Sequence, residues 1–76
     1  MMNKIRRASI QKLIDALTSL RADLDDVCRD EEYAFGNLPE NLQDSQRGDV
    51  MQDAIDFMDN ASDSIGDAID QLSEIV

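Results

Sequence analysis

The sequence contains no histidine and a single cysteine, Cys28. Without histidine, no Ser-His or Cys-His nucleophile pair and no carboxylate–histidine–metal arrangement can be assembled. One cysteine cannot close a disulfide within the chain, and with no histidine beside it the thiol cannot complete a structural zinc site. A lone reduced thiol fits a cytoplasmic setting better than a secreted one. Glycine is scarce as well, at three residues, and none belongs to a phosphate-cradling loop pattern. No apolar run approaches the roughly 18 residues that a membrane span needs. The basic start at Lys4, Arg6 and Arg7 leads into no uninterrupted apolar stretch of the kind that marks a signal peptide. These absences point away from an enzyme, from a metal or cofactor, and from a membrane protein. The expected location is the cytoplasm.

What is abundant is negative charge. Seventeen Asp and Glu face seven Lys and Arg, for a net charge of −10. Direct binding to nucleic-acid phosphates needs a cationic footprint and is disfavoured; anionic membranes are disfavoured for the same reason. The 76 residues make one domain, 1–76. A chain of this size buries only about 60% of its unfolded surface. Small folds of this kind lean on disulfides, a metal or a second copy of themselves, and only the last is open here.

Two stretches carry a seven-residue apolar repeat. In the first, Ile10, Leu13, Leu17, Leu20, Leu24 and Val27 alternate three and four apart, with Ile14, Cys28 and Phe35 one step aside. This predicts a helix over about 3–35, capped near Gly36 and stopped before Pro39. The connection, about 36–44, has room for a short helical turn opened by Pro39, which would return Leu38 and Leu42 to the end of the hairpin. Asp44 or Ser45 is positioned to cap a second helix over about 45–75. There Met51, Ala54, Met58, Ala61, Ile65, Ala68, Leu72 and Ile75 repeat without a slip, and Ile55, Ile69 and Val76 widen the stripe. Alanine at every seventh position predicts a close helix approach, with Leu20 and Leu24 filling the space opposite. Gly48 allows a close neighbour in the first turn, whereas Gly66 lies off the stripe.

The pattern is all-α, a long antiparallel helical hairpin joined by a short connection. Its apolar stripes are wider than one helix–helix contact covers. Leaving Ile14, Ile55, Ile69 and Val76 in water forfeits about 1.5–3 kcal/mol each. These four are therefore expected to bind a second copy, forming a homodimeric four-helix bundle.

The cluster Asp25, Asp26, Asp30, Glu31 and Glu32 lacks the spacing and central glycine of a calcium loop and reads as solvated surface. Cys28 reads as a small packing residue. The second helix is more informative. Asp49, Asp53, Asp56, Asp63, Asp67, Asp70 and Glu74 follow a three-four rhythm on the face away from the apolar stripe, with Asp59 beside the line. Neighbours in such a stripe lie about 5–6 Å apart, close to the separation of successive phosphates on a nucleic-acid strand. Asp is a poorer helix former than Glu, and like charges at this spacing repel. The stripe is either an ordinary solvated face or a surface that recognises a basic partner. In the second case its residues are Asp49, Asp53, Asp56, Asp59, Asp63, Asp67 and Asp70. The cations Lys4, Arg6, Arg7 and Lys12 sit near the C-terminal end of the second helix in a hairpin, which leaves the loop end as the more negative pole.

The central segment carries a resemblance. Asp30-Glu31-Glu32, Ala34-Phe35, Asn37-Leu38-Pro39-Glu40, Leu42-Gln43, Ser45, Arg47-Gly48, Met51 and Ala54-Ile55-Asp56 resemble a family of short acidic helical proteins of bacteria and their phages or other mobile elements. The likeness covers about residues 25–60. It implies a helical hairpin and a mobile-element origin in a bacterial cell, and it transfers no catalytic residues. The architecture also resembles the plasmid-encoded Rop dimer, in fold alone, because the negative charge here argues against RNA binding. The function this supports is a non-enzymatic binding protein that acts on another protein. In its sharpest form it mimics nucleic acid and blocks the basic site of a nucleic-acid enzyme or defence complex. The alternatives are a dimerisation module for assembly and an oligomer that sequesters a small molecule between its helices.

Overall fold

A computed structural model describes residues 2–76. Three helices follow one another: α1 (Lys4–Gly36), α2 (Glu40–Gln43) and α3 (Gln46–Ser73). Among the described residues there is no strand. Helices α1 and α3 run antiparallel and pack along their length, giving a rod 58 × 15 × 12 Å.

Local chemistry sets the ends. The Asn3 side chain accepts a hydrogen bond from the Arg6 N–H at 2.8 Å and starts α1. Ser45 does the same for α3, accepting from the Gly48 N–H, and Asp49 places a carboxylate in the first turn, where the helix dipole favours it. Gly36 was expected as the cap of α1 but is its last helical residue. Asn37, in right-handed conformation, caps instead by donating its N–H to the carbonyls of Phe35 and Tyr33. Pro39 opens the short turn α2 as expected, and the Gln43 side-chain amide donates to the Leu38 carbonyl at 2.9 Å. Gly48 is buried because the backbone of Leu42 and Gln43 passes where a side chain would stand.

The register puts Cys28 beside Ile55 and Arg21 beside Ser62. The contact surface lies one step around each helix from the expected stripe. On α1, Ile14 and Cys28 are buried, at 7% and 4% exposure, while Leu13, Leu20 and Val27 remain 56%, 57% and 57% exposed. On α3, Ile55 (5% exposed), Ser62 and Gly66 face α1, while Ala61 is exposed and Ala54 and Ala68 are half-buried. Two expectations are corrected. Ile14 and Ile55, assigned to a second copy, are consumed inside the hairpin; Ile69 is half-buried and Val76 is 48% exposed. The alanines flank the contact instead of filling its centre, and Leu20 stays 57% exposed. The physical reason lies in what α3 offers opposite: Ile55 packs in the line with Ile14 and Cys28 buried, Ser62 bonds both Arg21 and Asp25, and Gly66 makes room for Arg21, whose guanidinium lies 2.6 Å from where a Cβ would be.

Candidate functional site

The shifted contact gives the hairpin two unlike broad faces. One is polar and bonded from helix to helix. The Arg21 Nε–H donates to Ser62 Oγ at 3.1 Å, and the Ser62 hydroxyl donates to Asp25 at 2.7 Å. Arg21 also stands 3.9 Å from Asp63. Beside this chain, the Cys28 Sγ lies 3.4 Å from an Asp59 oxygen, 3.6 Å from a Glu32 oxygen and 3.9 Å from the Ile55 carbonyl. The one S–H proton can turn to any of these three acceptors, and the Asp59 oxygen is the nearest. Burial first, and then the adjoining carboxylates of Asp59 and Glu32, push the thiol from its ordinary 9.0 up to about 11. It is a neutral thiol at physiological pH, which makes it a poor nucleophile.

A shallow cleft of about 230 Å³ opens here, lined by Asp25, Cys28, Arg29, Glu32 and Asp59. The donor atoms of Cys28, Glu32 and Asp59 lie within 4.8 Å of one another. Their closeness follows from helix geometry, with Glu32 one turn on from Cys28 and Asp59 brought in by the packing of α3. Sequence reasoning missed this cluster because it joins residues of two helices, and their register is not written in either repeat.

The opposite face is apolar. Asp25 and Glu32 on α1 meet Ser62 and Asp59 on α3 across the polar face. The other flank of α1, Leu13, Leu20 and Val27, and the other flank of α3, Ala54, Ala61 and Ala68, must therefore share the reverse side. Phe57 (72% exposed) and Val50 extend it along the outer edge of α3. Ile5 and Tyr33 are exposed too, but they stand at a different heptad position, on the outer side of α1.

All seven carboxylates of the proposed stripe, Asp49, Asp53, Asp56, Asp59, Asp63, Asp67 and Asp70, are solvent-exposed. Asp59 and Asp63 turn towards α1, one to the thiol and the other to Arg21, and so stand apart from the outer line. The charge is distributed unevenly along the rod. The open half, residues 1–20 and 65–76, has four cations and four acids, so no net charge. The loop half, residues 21–64, has three cations and thirteen acids and carries the full −10. Among the described residues, two of those thirteen make ion pairs, Asp26 with Arg29 and Asp63 with Arg21.

No helix among the described residues is long and apolar enough to cross a membrane. Comparison with protein-family models, with curated proteins and with solved structures finds no match.

Proposed function

We propose that the chain is a non-enzymatic acidic binding protein that works as a pair of hairpins, a four-helix bundle whose loop-half carboxylates dock on a cationic protein surface. The observation that carries this reading is the concentration of the whole net charge in the loop half, on exposed carboxylates that the fold mostly leaves unpaired. Like charges along one helix work against folding, so their retention on one half suits a role outside the fold. In its sharpest form the protein is an inhibitor that stands in for nucleic acid, with carboxylates at near-phosphate spacing, and occupies the basic channel of a bacterial nucleic-acid enzyme or defence complex. The resemblance of residues 25–60 to acidic proteins of phages and mobile elements supports that setting.

The test is the double substitution Asp53→Asn with Asp56→Asn. Asp49 is left in place because it supports the start of α3 through the helix dipole. A partner recovered from host lysate with the wild type, and released by salt, should associate more slowly with the variant and with a weaker salt dependence, since charge attraction mainly sets the association rate. Unchanged association rates at two salt concentrations would refute charge recognition. They would favour the second reading, an assembly module, which the exposed apolar face of Leu13, Leu20, Val27 and Phe57 supports.

A further inference from the structure

We infer that the apolar face is covered by a second copy of this chain lying antiparallel to the first, with the loop end of each hairpin over the open end of the other. The inference rests on the paired-hairpin reading above and adds the arrangement.

The occupant follows from area. A folded monomer of 8.5 kDa is expected to expose about 4,700 Å², whereas this chain exposes 5686 Å². The excess, about 1,000 Å², is close to the roughly 800 Å² that each partner buries in a stable interface of standard size. The face has the extent to supply it, since the rod measures 58 by 15 Å. It is also apolar at its centre, with Leu20 and Ala61 both exposed there.

Two arrangements bring these faces together with helices aligned. In the parallel one, α1 lies over α3 of the second copy, and both loop halves fall at the same end. Two bodies of −10 then sit side by side. In the antiparallel one, α1 lies over α1 and α3 over α3, and each −10 half faces an uncharged half. The cations of the open end decide the matter further. Arg6 continues the heptad position of Leu13, Leu20 and Val27 and so reaches the rim of the apolar face. Antiparallel pairing brings it over the far end of the other α1, where Asp30 and Glu31 lie. Parallel pairing leaves it in the open half, whose four acids, Asp15, Asp67, Asp70 and Glu74, are already matched by four cations. Like-charge repulsion at close range therefore excludes one arrangement, and opposite charge selects the other.

The loop tips report the arrangement without touching the face. Asn41 is exposed in α2, so Asn41→Cys in a Cys28→Ser background carries one spin label per chain. Sedimentation of the labelled protein gives the assembly state, and pulsed dipolar spectroscopy gives the distance between labels. A dimer with labels beyond about 40 Å is expected, because a helix as long as α1 separates the two ends at 1.5 Å per residue. A dimer with labels within about 25 Å, the reach of neighbouring helices in one bundle, or at any distance short of 40 Å, overturns the antiparallel arrangement and leaves pairing intact. A chain that sediments as a monomer up to high micromolar concentration overturns pairing itself.

Discussion

On the polar face, Arg21, Ser62, Asp25, Cys28 and Asp59 are joined from helix to helix, and among the described residues no buried side-chain polar atom is left without a hydrogen bond. On the apolar face of the same two helices, Leu13, Leu20, Val27 and Phe57 stand more than half exposed. The polar face completes its interactions within one chain, and the apolar face does not. Two helices can bury a single line of side chains between them. Here that line is short, with Ile14, Cys28 and Ile55 as its buried hydrophobic members. The remaining apolar surface needs another layer, which is the general rule for helical domains.

The largest expected effect breaks the apolar face. Leu20→Glu places a charge at its centre, where pairing would strip it of water. Burying an uncompensated carboxylate costs several kcal/mol, so dimerisation should weaken by more than about a hundredfold (1.4 kcal/mol per factor of ten). Sedimentation across a concentration series checks this. An unchanged dimer would mean that the face is not the interface.

Next comes a contrast between two buried glycines. At Gly48 an added methyl meets the carbonyl backbone of Gln43, which cannot move without breaking the α2 connection. Gly48→Ala should cost about 2–3 kcal/mol by overpacking. At Gly66 the same methyl meets the end of the Arg21 side chain, which can swing towards solvent. The gain of about 1 kcal/mol in helix propensity then offsets the loss of the Arg21 contacts, and Gly66→Ala should fall within about 0.5 kcal/mol of wild type. Urea melts of the two variants at equal concentration decide the contrast.

A smaller effect tests the polar face. Ser62→Ala removes the hydroxyl that links Arg21 to Asp25. Both charged groups can take up water instead, so the cost should be about 1 kcal/mol. Dimerisation should not change, because the hydroxyl lies on the side away from Leu20. A loss of dimer from this substitution would show that the two faces are not independent.

Much of this fold was legible in the sequence. The seven-residue repeats gave both long helices, and Pro39 and Ser45 marked the turn and the second start. The choice of contact line was not legible. In α1 two stripes overlap and share Ile10, Leu17 and Leu24. The more apolar of them, Leu13, Leu20 and Val27, looks like the better core. The stripe that packs against α3 includes Arg21 and Cys28, which are poor core residues until Ser62, Gly66 and Asp59 are seen opposite. Those partners are 31 to 45 positions away along the chain, and no repeat within one helix encodes them. The uneven charge was visible as a more negative loop end. Its full contrast, neutral against −10, required the level at which the helices pair.

The smallest expected effect lies at Cys28. Its single proton lies beside the Asp59 and Glu32 carboxylates and the Ile55 carbonyl, and ionisation of this buried thiol would put a third negative charge next to those two carboxylates. The folded thiol therefore titrates near 11 against an ordinary 9.0. Between these values the unfolded chain has released the proton and the folded chain still holds it. The unfolded state binds fewer protons there, so stability falls as pH rises. The contribution is fully present below about pH 9 and is spent as pH approaches 11. Cys28→Ser has no group titrating in this window at that position. Melting temperatures of wild type and Cys28→Ser, measured from pH 8 to pH 11, should therefore shift relative to one another, with the wild type losing ground as pH rises. Alkylation gives a second reading at pH 8: the folded thiol should react far more slowly than the same thiol in urea, and Asp59→Asn should quicken the folded reaction by lowering the pKa. If the melting difference is constant across the pH series and Asp59→Asn leaves alkylation unchanged, then the carboxylates do not reach the thiol in solution. The polar face would in that case be held by Arg21, Ser62 and Asp25 alone.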